Sequence, residues 1–168
     1  MDSELVYLLA QTASSPVRVP TARMTYLANS GYQVISGTTT VPYNTVTFSA
    51  NGMSTATGTS AGVTVPLTGY YVINAGVGIS ANSSGAQGAA STSGTPDALL
   101  YVYVGGTQYT SGPRGAFNNG AINLGINDTV YAAANSLIQI KVAGSTQYIY
   151  GGNGAEVTTF LSVTYVSS

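Results

Sequence analysis

Apolar and polar positions alternate with a period of two along most of the chain after residue 24. In the segment LIQIKV, Ile138, Ile140 and Val142 share one side of an extended chain, while Gln139 and Lys141 share the other. Alternation of this kind, rich in Val, Ile, Thr and Tyr, is typical of half-buried β-strands. No long segment has the 3.6-residue period of an amphipathic helix. The pattern therefore predicts an all-β fold.

Short segments rich in Gly, Asn, Ser and Asp separate the predicted strands. They lie at Asn51-Gly52, 60–62, 118–120, Asn127-Asp128 and 151–154. These residue types favour tight turns because Gly and Asn accept positive φ and Asp bonds to nearby backbone, so we expect Asp128 to cap a turn. Short strands at regular spacing indicate a β-sandwich or a barrel.

Residues 1–23 differ from the rest of the chain. They carry four of the nine charged residues, a short apolar run and two prolines that favour extended backbone before them. We predict an extended N-terminal arm over 1–23 and one domain over 24–168. The arm residues expected to bind a partner are Leu5, Val6, Tyr7, Leu8, Leu9, Val17 and Arg18.

The segment 81–97, ANSSGAQGAASTSGTPD, is long and of low complexity. Loops of this length in a compact domain are usually functional or lack a fixed structure. A contact loop and a loop without function both remain open.

Charge is scarce in this chain. Charged residues make up 5% of the sequence, against about 25% in typical domains, and none lies between residues 24 and 96. A surface of Ser, Thr and Asn has little self-repulsion, which favours packing against other protein copies. Four scattered basic residues cannot form a stripe that follows phosphates, so we expect no nucleic-acid partner. The six-residue apolar run at 5–10 is too short for a secretory signal or a membrane span, so we expect no membrane partner and no export.

The chain has neither His nor Cys, which removes the commonest general base and the thiol nucleophile. Ser60 lies in a G-x-S-x-G pattern, and 76–81 reads G-x-G-x-x-A. The first pattern needs a partner His and a following helix, and the second needs a helix and an acidic residue farther on. We therefore predict no enzyme, no catalytic residue, no cofactor and no metal. A cation held by Asp97 or Asp128 with backbone carbonyls is the weaker alternative.

The segment from Val46 to Ser80 resembles the first half of a complement-type globular head in the tumour necrosis factor-like jelly-roll superfamily. Later, INLGINDTV resembles another segment of these proteins through Leu124, Asp128 and Val130, with Asn127 in place of the usual Gly. The first segment matches through Gly62, Val63, Thr64, Pro66, Gly69, Tyr71 and Ile73. We take as the fold signature Gly62, Pro66, Gly69, Tyr71 and Asp128.

This resemblance implies a jelly-roll β-sandwich of about ten antiparallel strands that forms a homotrimer and works by binding. Such modules occur in secreted animal proteins and in bacteriophage structural proteins, and the apolar arm and nearly uncharged body resemble a phage virion protein. The expected function is a capsid decoration (cement) protein that attaches to the major capsid protein and stabilises the shell. It would lie on the outer capsid surface of a virion assembled in the host cytoplasm. The alternative is a receptor-binding tip of a phage tail fibre or adhesin that recognises host glycan or protein.

Overall fold

The computed structural model describes residues 18–27, 33–80, 97–116, 121–151 and 158–168. The predicted arm residues other than Arg18, and the loop 81–96, lie outside the described residues. Within those ranges the chain forms eleven β-strands and a short 3-10 turn at Gly58–Ser60. The strands are β1 (Thr21–Thr25), β2 (Gln33–Thr40), β3 (Thr45–Ala50), β4 (Ser54–Ala56), β5 (Gly62–Thr64), β6 (Gly69–Ser80), β7 (Asp97–Val104), β8 (Thr107–Ala116), β9 (Ala121–Ala132), β10 (Leu137–Tyr150) and β11 (Phe160–Ser167).

The strands form a two-layered antiparallel sandwich. One layer, the five-stranded sheet, has the order β3-β1-β11-β6-β9. The other layer is built on β10, which pairs with β2, β5 and β7, while β4 and β8 extend it. The last residues of β10 pair with β6, so hydrogen bonds join the two layers at one end. This arrangement confirms the predicted all-β jelly-roll sandwich.

The core lies between the two layers and follows the alternation in the sequence. Ile138, Ile140 and Val142 of β10 are fully buried, as predicted, and full burial of each contributes about 1.5–3 kcal/mol. Gln139 points to the other side and is also buried, and the hydrogen bond that its Nε2 donates to the Ala61 carbonyl at 3.2 Å offsets the cost of removing the amide from water. On β6 the inward residues are Tyr71, Ile73, Ala75, Val77 and Ile79.

The predicted turn at Asn51-Gly52 is confirmed, with φ values of 56° and 87°. The turn predicted at Asn127-Asp128 is wrong, because both residues lie inside β9 and pair with β6. Asp128 Oδ1 accepts a hydrogen bond from its neighbour's backbone, the N–H of Thr129, at 2.8 Å. The continuous ladder with β6 overrides the local turn preference. The predicted turn at 118–120 and most of the one at 151–154 lie outside the described residues.

Two glycines of the fold signature lie where backbones approach closely. A Cβ on Gly62 would lie 2.5 Å from the Ile138 carbonyl oxygen, and a Cβ on Gly69 would overlap the Ser167 carbonyl oxygen. Neither contact can be relieved by moving a side chain, because the obstructing atoms are backbone. These positions therefore require glycine for packing.

Tyr71 fixes the turn that begins at Pro66. Its hydroxyl donates a hydrogen bond to the Leu67 carbonyl at 2.6 Å and accepts one from the Leu67 N–H at 3.3 Å. Burial raises the pKa of Tyr71, the Leu67 backbone bond lowers it, and the nearby Tyr165 raises it further. The Tyr71 ring also meets the Tyr165 ring edge-to-face, with centroids 5.3 Å apart. The turn and the core are thus joined by one side chain.

Candidate functional site

The five-stranded sheet carries most of the exposed apolar side chains that the structure describes. Ten large hydrophobic residues are exposed in the described ranges, and six lie on strands of this sheet. Single exposed apolar residues are ordinary, but a concentration on one surface marks a contact site. The six are Val46, Phe48, Tyr70, Val72, Tyr131 and Val166.

Three tyrosines line the side of the sandwich where β9 approaches β8. Tyr70 and Tyr131 lie opposite each other on β6 and β9, and their rings meet edge-to-face with centroids 5.3 Å apart. Tyr109 of β8 accepts a hydrogen bond from the Tyr131 backbone N–H at 3.3 Å. All three rings stay about half exposed. Tyrosines in such a position offer rigid, amphipathic contact area.

A shallow hollow of about 500 Å³ lies on the outer face of the same sheet. Its floor includes Gly76 and Gly125, which pair across β6 and β9 and carry no side chains to fill the space. Asn74, Asn127 and Phe160 stand among its walls. The hollow gives the outer face a concave region that a convex partner surface can enter.

Arg23 is the one charged side chain that the described residues place on this outer face. Its guanidinium carbon lies 4.7 Å from the centroid of the Phe160 ring, and Nη1 donates to the Ser162 hydroxyl at 3.4 Å. A cation over an aromatic face gains about 0.5–1 kcal/mol at an exposed site. The ring holds the guanidinium against the sheet.

The arm would leave the domain beside β1 and β3. Arg18 is exposed, the Val19 carbonyl accepts a hydrogen bond from Asn51 Nδ2 at 2.8 Å, and the Pro20 carbonyl accepts one from the Tyr165 N–H at 2.9 Å. Strand β1 begins at Thr21, so the last three residues of the predicted arm pair within the sheet. The roles of the arm residues stay predictions.

The two enzyme-like patterns of the sequence lie in an exposed turn and inside a strand. Ser60 ends an exposed 3-10 turn that is followed by β5, and Gly76 and Gly78 lie inside β6. The described residues include no group of three or more acidic side chains that could hold a metal ion. No helix in the described ranges is long and apolar enough to cross a membrane.

The fold is similar to solved structures of tumour necrosis factor proteins. Eiger TNF from S. frugiperda superposes with a TM-score of 0.65 at 8% identity, covering 90% of this chain and 94% of that one. Murine APRIL structures at pH 5.0 and pH 8.5 superpose with TM-scores of 0.55 and 0.56 at 12% identity, covering 88% of this chain and 99% of theirs. No protein-family profile and no curated sequence matches the chain. The chain therefore has a TNF-like jelly-roll fold, as the resemblance implied.

The outer face was not singled out from the sequence, although a signal for it is present. Residues 70–73 read YYVI, so β6 is apolar on both sides at this point. A strand that is apolar on both sides is typically covered on both sides. Here the inward pair is covered by the core, and Tyr70 and Val72 remain exposed. This double apolar pattern predicts a further contact surface.

Proposed function

We propose that this protein is a homotrimeric decoration (cement) protein of a bacteriophage capsid. Its jelly-roll domain associates with two further copies through the outer face of the five-stranded sheet. Its N-terminal arm attaches the trimer to the major capsid protein and thereby stabilises the shell. The protein works by binding and performs no catalysis.

One observation carries the self-association: among the described residues, the five-stranded sheet carries six of the ten exposed large hydrophobic side chains, and its outer face carries one charged side chain. Five strands spaced about 4.8 Å apart, with a mean length of about eight to nine residues and a rise of about 3.4 Å per residue, give a face of roughly 600 Å². A standard-sized interface takes about 800 Å² from each partner, so this face alone can supply most of one partner's share. The threefold state is the one that the family resemblance implies.

The scarcity of charge supports a permanent place in an assembly. Within the described residues, the sandwich presents Ser, Thr, Asn and Tyr where soluble domains normally present charged side chains. Such a surface changes little with salt or pH. It tolerates close contact with a protein shell on several sides.

The arm supplies the proposed attachment to the capsid. Its apolar run, Leu5 to Leu9, can add a strand to an exposed edge or fill a groove of the capsid protein. Three arms on one trimer make attachment multivalent, and multivalency raises avidity by about 10²–10⁴ over a single contact. Weak individual arms therefore suffice for firm attachment.

The test compares a deletion variant with a loop-replacement variant of this chain. One variant lacks residues 1–15, and the matched control has residues 82–96 replaced by a short Gly-Ser linker. Both are mixed with undecorated capsids, and the bound fraction is measured by co-sedimentation. The proposal predicts that the arm deletion abolishes binding at concentrations where wild type saturates, and that the loop variant binds like wild type.

Two outcomes contradict the proposal. Wild-type affinity after arm deletion would remove the arm from the attachment. Absence of capsid binding by wild type, together with glycan or host-cell binding that the loop variant loses, would establish the alternative role as a receptor-binding tip.

A further inference from the structure

Four short turns lie together at one end of the sandwich, which we call the turn end. They are the connections 51–53, 65–68, 105–106 and 133–136. The Asn135 N–H donates a hydrogen bond to the Val65 carbonyl at 2.7 Å, and the Gly105 N–H donates one to the first residue of β10 at 3.0 Å. A Cβ on Gly52 would lie 3.1 Å from the Pro66 Cβ, so these two turns also touch. The four turns therefore form one continuous surface.

The turn end is low and uncharged. Its exposed side chains are short, apart from Leu67, which is 45% exposed. The four turns contain no charged residue. The turn residues with positive φ, which reverse the chain in few residues, are Asn51, Gly52, Gly105, Gly106 and Asn135. Because the centres of protein interfaces are depleted of charged residues, the turn end is suited to close contact with a protein surface.

The predicted arm leaves the domain at this same end. The Val19 carbonyl accepts a hydrogen bond from Asn51 Nδ2 at 2.8 Å, which ties the chain to the turn 51–53. The next carbonyl, that of Pro20, accepts one from the Tyr165 N–H at 2.9 Å, and Pro20 itself is buried. Proline also restricts its own φ to about −65°. Two consecutive carbonyls and a proline thus fix the root of the arm beside the turn end.

The length of the arm keeps its partner close to the turn end. The apolar run predicted to bind ends at Leu9, ten residues before Val19. A fully extended chain spans at most about 3.3–3.6 Å per residue, so the bound run lies within about 35 Å of the root. A flexible tether of this length raises the effective concentration of the turn end at the partner to about the millimolar range. Even a weak contact at the turn end then adds to attachment.

We infer that the turn end is the surface that rests on the protein to which the arm binds. The inference rests on the proposed function, in which that protein is the major capsid protein, and it adds the orientation of the domain. The strands stand upright on the shell, with the turn end toward it. In a trimer whose axis runs along the strands, three turn ends lie at one height and three arms start beside them.

The test uses single cysteines in a chain that has none of its own. Ala133→Cys places an exposed thiol at the turn end, and Ser36→Cys places one on β2 of the other layer as the control. Each variant is labelled with a polyethylene glycol maleimide, and binding to undecorated capsids is measured by co-sedimentation. Labelled Ala133→Cys should bind at least about tenfold more weakly than its unlabelled form, because the polymer separates the two surfaces. Labelled Ser36→Cys should bind like its unlabelled form.

A pair of point substitutions tests the same surface without a polymer. Leu67→Glu places a charge at the turn end, and Val34→Glu makes a similar change on β2, where Val34 is 50% exposed. Burying an unpaired charge against the shell is unfavourable, so Leu67→Glu should weaken capsid binding at least about tenfold. Val34→Glu should bind like wild type. Circular dichroism and the mass in solution should be unchanged in both variants.

The outcomes separate the turn end from the proposed function. Equal effects of the two labels, or of the two point substitutions, would overturn the turn end as the contact surface and leave the attachment through the arm in place. Absence of capsid binding by the wild-type protein would overturn both the proposed function and this orientation.

Discussion

Removing the Tyr71 hydroxyl should destabilise the fold by about 1–2 kcal/mol. In Tyr71→Phe, the Leu67 carbonyl and the Leu67 N–H lose their partner, while the ring contact with Tyr165 is kept. Each neutral hydrogen bond contributes about 0.5–1.5 kcal/mol, which gives about 1–3 kcal/mol for two. Leu67 is 45% exposed, so water can reach the released groups and the loss falls in the lower part of that range.

Urea unfolding at one fixed protein concentration measures this loss, because association makes apparent stability depend on concentration. The midpoint should fall with an unchanged slope. Tyr101→Phe is the matched control: Tyr101 is half-buried on β7, and its loss of a hydroxyl should change stability by less than about 0.5 kcal/mol. Equal effects of the two substitutions would refute the role assigned to the Tyr71 hydrogen bonds in holding the turn at Leu67.

Three further predictions concern packing, pH and the outer face. Gly62→Ala drives a Cβ to 2.5 Å from the Ile138 carbonyl oxygen and should lower stability by about 1–3 kcal/mol in the same assay; a neutral result would contradict the close approach. Burial raises the pKa of Tyr43, so the folded state keeps a proton that the unfolded state loses above about pH 10. Stability should therefore fall as pH rises beyond that value, and Tyr43→Phe should flatten the fall in urea midpoints measured across the alkaline range. Val72→Asp should dissociate the oligomer on size exclusion, because an unpaired buried charge costs about 3–5 kcal/mol, whereas Val34→Asp on the other layer should not; equal behaviour would contradict the assigned face.

The alternation of apolar residues was enough to predict the sandwich and its core. The inward side of β10 follows directly from Ile138, Ile140 and Val142, because a strand has only two sides and its apolar side is buried away from water. The Asn51-Gly52 turn was equally local, since few other dipeptides accept positive φ at both positions.

The errors arose where distant residues decide the structure. Asn127-Asp128 has the composition of a turn, yet pairing with β6 keeps it extended. The placement of Arg23 beside Ser162, and of Ser162 beside Asn74, depends on two strand registers, and no local pattern contains that information. The outer face was partly visible in YYVI, but its neighbours Phe48 and Tyr131 join it only through the sheet order.

The mass of the purified protein in solution tests the central claim most directly. Sedimentation equilibrium or light scattering at micromolar concentration should give three times the 17.0 kDa mass of one chain, and Val72→Asp should return the mass to that of a single chain. A wild-type protein that remains at 17.0 kDa across the accessible concentrations would contradict self-association through the outer face of the five-stranded sheet.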